Sequence, residues 1–111
     1  MHMYVMLGLF KGERFEYARA LVDAGISASF VIDTIAEALK CSEELDRHFN
    51  IYIPRVGSVK IDRICVIDKA IIDSSLVELK TVFNVIQSNA LKPLHCEAIL
   101  GRDVHIWWGL V

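Results

Sequence analysis

The sequence predicts an α+β fold, a mainly antiparallel sheet with helices packed on one of its faces. Two observations predict it. Strand-like and helix-like apolar spacings alternate along the chain, in the order βααββαββ. No linker, repeat or low-complexity stretch interrupts the 111 residues, so residues 1–111 are expected to form a single domain. The order is compatible with a ferredoxin-like βαββαβ core that carries an added C-terminal strand.

The first half of the chain is predicted to be a strand followed by helices. Met3–Phe10 is a continuous apolar run of strand length. Residues 13–24 carry apolar side chains at spacings of three and four, and Gly25 suits the position that ends a helix. A further helical stripe runs through residues 28–49, as one helix or as two.

The second half begins with expected strands over residues 50–54 and 59–67, joined by a turn. Ser75 and Glu78 have the spacing of a capping box and precede a helical stripe. That predicted helix ends before Pro93, which cannot continue it.

A hairpin is expected at the C-terminal end. The runs 94–100 and 104–110 are separated by three residues that begin with Gly101. Alternation places an apolar set on the core-facing side of the hairpin and a mixed set, the outer set, on its opposite side. The outer set supplies the candidate interface residues, with the tryptophan as the expected hot spot: His95, Glu97, Ile99, His105 and Trp107.

The same outer set admits a catalytic or metal-binding alternative. Glu97 could orient His105 as a general base or metal ligand, with His95 nearby. However, these residues have no recognised metal-ligand spacing. We therefore predict no metal and no cofactor, and treat a small metal or acid–base enzyme as an alternative to a non-enzymatic protein.

Composition favours self-association as the first functional hypothesis. Hydrophobic residues make up 54% of the chain and the mean hydropathy is +0.41, against about 45–50% apolar in an average protein. A small domain leaves part of such a surplus at its surface, where it forms interfaces. The predicted function is a non-enzymatic interaction protein, either a homo-oligomer or a subunit of an assembly.

A nucleic-acid-binding accessory factor is the competing hypothesis. The net charge of −2 and the pI near 6.0 disfavour it. A helix-turn-helix over residues 17–36 is also disfavoured, because its proposed recognition helix is acidic. Residues 52–69 nevertheless hold a modest basic cluster with an aromatic neighbour: Tyr52, Arg55, Lys60, Arg63 and Lys69.

The expected location is the cytoplasm. Cys41, Cys65 and Cys96 are odd in number and widely spaced, so reduced thiols are predicted. No apolar stretch approaches the roughly 20 residues that span a bilayer. The first residues lack the basic start of a secretory signal.

Overall fold

A computed structural model describes residues 3–78 and 80–104. Within these residues the chain is mostly β, with nine strands in one mixed sheet and short helical segments. The predicted α+β, ferredoxin-like fold is therefore wrong. The strands are β1 (Met3–Lys11), β2 (Arg14–Val22), β3 (Phe30–Ile32), β4 (Glu43–Ile53), β5 (Gly57–Ile67), β6 (Lys69–Ile72), β7 (Ser75–Val77), β8 (Thr81–Ile86) and β9 (Ala98–Leu100).

The helical segments are short. An α-helix, α1, covers Asp33–Ala38, and a 3₁₀ helix covers Ser88–Leu94. Residues 102–104 form a further helical turn. Among the described residues, none of these helical segments has the length and hydrophobicity of a membrane-spanning helix.

The strands lie in the order β4-β5-β8-β3-β9-β2-β1-β6-β7. Two pairs are parallel, β2 with β9 and β3 with β8, and the other pairs are antiparallel. The short strands β3 and β9 therefore lie in the middle of the sheet. Because β2 and β9 are parallel neighbours, the loops that follow them leave the sheet at the same end and lie side by side.

The helix expected over residues 13–24 is strand β2. It pairs along its full length with β1, from Met3 opposite Val22 to Lys11 opposite Arg14. Ala18 and Ala20 point into the core while Tyr17 and Arg19 point out. The apolar spacing fits either structure, and pairing with an adjacent strand decides between them.

Residues 28–49 and 75–91 also differ from the predicted helices. The first range forms β3, the six residues of α1 and the start of β4. The second forms β7, β8 and part of the 3₁₀ helix. β8 contains Val82, Val85 and Ile86, whose branched side chains fit a pleated strand better than a helix.

Three predicted strands are confirmed. Met3–Phe10 lies in β1, residues 59–67 lie in β5, and residues 50–53 lie in the longer strand β4. Between β4 and β5, Pro54 and Arg55 form a turn in which Val56 N–H donates to Ile53 C=O at 3.0 Å.

The expected first strand of the C-terminal hairpin is shorter than predicted, and nearly all of its expected second strand lies outside the described residues. Residues 88–94 are helical, and only Ala98–Leu100 forms a strand. Residues 102–104, which end the expected connection and begin the expected second strand, form the helical turn. Residues 105–111 lie outside the described part of the chain.

The core joins both halves of the sheet. Its largest fully buried side chains are Phe30 from β3 and Phe83 from β8, packed with leucines and isoleucines of the other strands. Cys41 and Cys65 are buried and form a disulfide, with Cα atoms 5.0 Å apart. The expectation of three reduced thiols is therefore wrong for this pair, while Cys96 is free and buried.

Candidate functional site

The predicted interface residues do not form one exposed set. Ile99 is fully buried in β9 because that strand lies inside the sheet. His95 and Glu97 are exposed, and both bind Arg19: its Nε donates to His95 C=O, and its backbone N–H donates to Glu97 Oε1, each at 3.0 Å. His105 and Trp107 lie outside the described residues. In the described ranges no group of three His, Cys, Asp or Glu residues could hold a metal ion.

The predicted basic cluster is divided over the sheet. Lys69 lies on β6, near one edge of the sheet, with its ammonium 5.1 Å from the centre of the Phe10 ring. Lys60 and Arg63 lie on β5, near the opposite edge. Tyr52 on β4 is 70% exposed, close in sequence to Arg55 at the turn.

Lys60 and Arg63 line a cavity of about 590 Å³ between β5 and residues 85–93. Asp33 and Asp62 line it too, and the Lys60 ammonium lies 3.9 Å from the Asp62 carboxylate. Two cations and two carboxylates leave the cavity without a strong preference for phosphate.

The loop of residues 23–29, which joins β2 to β3, is held by hydrogen bonds from several segments. Asp23 N–H donates to Leu100 C=O at 3.0 Å, which extends the pairing of β2 with β9 by one residue. Asp23 C=O accepts the Ile26 N–H at 3.2 Å. Asp23 Oδ1 accepts the Gly25 N–H at 2.9 Å, so the loop holds the carboxylate in one orientation.

A buried hydroxyl group locks this loop to the segment after β9. Ser29 is fully buried, and its hydroxyl donates to Asp103 Oδ1 at 2.6 Å while accepting the Gly101 N–H at 2.9 Å. Arg102 N–H donates to Ile26 C=O at 2.7 Å. Buried polar groups are stable only when paired in this way, so these bonds specify one geometry.

Gly101 makes the close approach of the two segments possible. A Cβ atom at this position would collide with the carbonyl oxygen of Ala28 and lie 2.7 Å from that of Ile26. On the other side of the loop, Asn84 donates from its backbone N–H and its side-chain amide to Ser29 C=O, at 2.9 and 3.1 Å. The loop is therefore held from both neighbouring strands.

The locked loop presents a carboxylate at the surface. Asp23 is half-buried, and within the described residues its second oxygen, Oδ2, has no hydrogen-bond partner. Ala24 and Gly25 beside it are exposed and small, which leaves room for another molecule to approach. A rigid loop that holds one free carboxylate oxygen is suited to proton transfer or to binding a donor.

Sequence reasoning missed this site because residues 13–25 were interpreted as a helix and its cap. Two short patterns would have indicated it. Leu21-Val22 is followed by Asp23-Ala24-Gly25, and Ile99-Leu100 is followed by Gly101-Arg102-Asp103. Each is an apolar strand end followed by aspartate and glycine, the residues of tight loops.

A second feature, the outer face, covers the solvent side of β1, β2, β6 and β7. The Phe15 ring packs there between Phe10 and Tyr17. Its centre lies 4.5 Å from that of Phe10 and 4.6 Å from that of Tyr17. The apolar side chains of the outer face are exposed or half-exposed: Met6, Phe10, Phe15, Tyr17, Ile71 and Leu76.

Comparison with known proteins identifies no family for this chain, so its class is inferred from the fold and the candidate site. No protein-family model matches the sequence, and no curated protein matches it either.

Proposed function

We propose that the protein is a homodimeric acid–base hydrolase, in which the loops of residues 23–29 from two copies bring their Asp23 carboxylates together. The observation that supports it is the locked loop, which holds Asp23 by the Gly25 N–H and leaves its second oxygen open at the surface. Self-association agrees with the apolar surplus of the chain.

The arrangement of the loop favours catalysis over a purely structural role. A connecting loop needs neither a buried serine nor a glycine that contacts a neighbouring backbone, yet Ser29 and Gly101 supply both. Such constraints hold a reactive group within the narrow tolerance that catalysis requires. The result is a carboxylate whose position is set before any substrate arrives.

A second copy supplies the group that Asp23 lacks. Hydrolysis needs an acid and a base, and among the described residues no carboxylate, imidazole or amine makes a hydrogen bond or ion pair with Asp23. Two-fold symmetric dimers are the commonest homo-oligomers, and in them a residue that lies beside the axis meets the same residue of the other copy. The small side chains of Ala24 and Gly25 allow the two loops to approach closely.

Two carboxyl groups about 3 Å apart cannot both ionise, so they share one proton. The ionised carboxylate takes a proton from water, and the water oxygen bonds to the carbonyl carbon of an amide. The protonated carboxyl gives its proton to the carbonyl oxygen. When the carbon–nitrogen bond breaks, the nitrogen takes the proton that the first carboxyl received from water, and a hydroxyl group of the intermediate returns its proton to the second carboxylate. A carboxylic acid and an amine remain, and the pair again shares one proton.

The test is hydrolysis of a mixed pool of unstructured peptides between pH 4 and 7, followed by mass spectrometry. Asp23→Asn keeps an oxygen that can accept the Gly25 N–H, so the fold should survive while hydrolysis falls by at least about a hundredfold. Asp33→Asn, at the start of α1, is the matched control and should retain activity. Full activity in Asp23→Asn, or none in the wild-type protein, would contradict the proposal.

A non-enzymatic interaction protein is the second candidate, and the exposed outer face supports it. A stable dimer that hydrolyses nothing would favour it. The nucleic-acid alternative rests on Tyr52, Arg55, Lys60 and Arg63 and requires an affinity that falls steeply with salt.

A cytoplasmic location stays a prediction, although the Cys41–Cys65 disulfide favours a more oxidising compartment.

A further inference from the structure

The outer face is apolar across four adjacent strands. In the strand register, Tyr17, Gly8, Ile71 and Leu76 form one row across β2, β1, β6 and β7. Tyr17 is 61% exposed and Leu76 52% exposed. Neighbouring strands lie about 4.8 Å apart, so this row crosses about 15 Å of surface.

The aromatic side chains of this face are already ordered. Gly8 has no side chain, and the Phe15 ring lies against it, so closely that a Cβ atom at Gly8 would be 2.9 Å from the ring. Phe15 in turn contacts Phe10 and Tyr17. Because these rings hold one another in place, a partner that binds them loses little side-chain entropy.

The charged side chains that β1, β2, β6 and β7 themselves present on this face are cationic. Arg19 lies opposite Met6, with its guanidinium 4.0 Å from the centre of the Tyr4 ring. Lys69 lies opposite Phe10, over its ring. Among the described residues of β1, β2, β6 and β7 that point to this face, none is acidic; Asp73 lies in the adjoining turn, and the Glu97 carboxylate borders the face where it accepts the Arg19 backbone N–H.

We infer that the outer face binds a segment of another protein that carries both apolar and acidic side chains. Aromatic residues, methionine and arginine are the types enriched at protein interfaces, and they predominate here. A second copy is a poor occupant because Arg19 and Lys69 of both copies would face each other. Nucleic acid is disfavoured by the aliphatic Met6, Ile71 and Leu76 and by only two cations.

The test is titration of the isotope-labelled protein with a short synthetic peptide that alternates leucine and glutamate, followed by NMR. A matched peptide that alternates leucine and lysine is the control. We expect shift changes at residues 6–19 and 69–76, and an affinity at least about tenfold higher for the acidic peptide. Tyr17→Ala and Arg19→Gln should each weaken binding several-fold, and Tyr52→Ala on β4 should not.

Equal binding of both peptides, or shift changes confined to other strands, would overturn the inference. So would concentration-dependent dimerisation through these same residues, or tighter binding of single-stranded oligothymidine than of the acidic peptide. Asp23→Asn should bind the peptide as the wild-type protein does. The inference therefore succeeds or fails independently of the proposed hydrolysis.

Discussion

The buried hydroxyl of Ser29 donates a 2.6 Å hydrogen bond to Asp103, 74 positions further along the chain. Asp103 Oδ1 also accepts the Val104 N–H at 2.8 Å, within the helical turn after β9. One carboxylate therefore connects the start of β3 with the segment after β9. Because the loop of residues 23–29 lies between these segments, its shape depends on this connection.

Replacing Ser29 with alanine should destabilise the fold. The change leaves the buried Gly101 N–H without its acceptor and removes one of the two hydrogen bonds to Asp103 Oδ1, and an unsatisfied buried group costs about 1–3 kcal/mol. Urea denaturation followed by circular dichroism measures this loss. Ser27→Ala, at an exposed position of the same loop, is the control and should change stability by less than about 0.5 kcal/mol. Equal stability of the two variants would show that the buried network contributes little.

Gly101→Ala should be more damaging than an alanine at a glycine in an open turn. The new Cβ atom collides with the backbone carbonyl of Ala28. That carbonyl cannot move without breaking the hydrogen bonds that join the loop of residues 23–29 to the segment after β9. We expect a loss of about 3 kcal/mol or more in the free energy of unfolding. Gly12 has a φ of 59° but open space around it, so Gly12→Ala should cost only about 1 kcal/mol. The reverse order of the two losses would contradict the observed packing.

The ion pair between Lys11 and Glu43 should make stability depend on pH. The hydrogen bond from the Lys11 ammonium, 2.9 Å long, lowers the pKa of the Glu43 carboxyl below its usual 4.5. A lowered pKa contributes stability above the unfolded-state pKa, and that contribution is lost as pH falls through the folded-state pKa. Thermal unfolding from pH 7 to pH 3 should therefore show a smaller acid-side loss in Glu43→Gln than in the wild-type protein. Glu44→Gln, at an exposed neighbour, should keep the wild-type profile.

The Cys41–Cys65 disulfide should stabilise the join between α1 and β5. It closes a loop of 24 residues, for which chain entropy predicts about 3 kcal/mol of stability that reduction removes. Alkylation of the unfolded, unreduced protein should label only Cys96, and mass spectrometry counts the labels. In the folded protein Cys96 should react slowly, because burial raises the pKa of its thiol. Three labels without prior reduction would contradict the pairing.

The sequence predicted strands best where the pattern was unambiguous. Met3–Phe10 is too short and too uniformly apolar for most helices, and Gly57 with the following alternation suits a hairpin. Residues 13–24 were misassigned because Phe15, Ala18, Leu21 and Val22 have helical spacing. Their pairing with β1 is a tertiary interaction, which outweighs local spacing.

The candidate site was hidden for a related reason. Asp23 and Gly101 are 78 positions apart, and only the parallel pairing of β2 with β9 brings their segments together. Parallel strands are joined by a long connection, so no local sequence pattern predicts that they pair. The shared exposure of Tyr17 and Arg19 on one face was missed for the same reason, since a helix would have placed them on different faces.

Activity after mixed refolding tests the central claim, that two Asp23 carboxylates act together. Wild-type and Asp23→Asn chains are unfolded, mixed in equal amounts and refolded, and hydrolysis of the peptide pool is compared with that of the same total amount of wild-type protein. If both carboxylates of a dimer are required, random pairing leaves about a quarter of the activity. Half of the activity would show that each chain acts alone and would contradict the account.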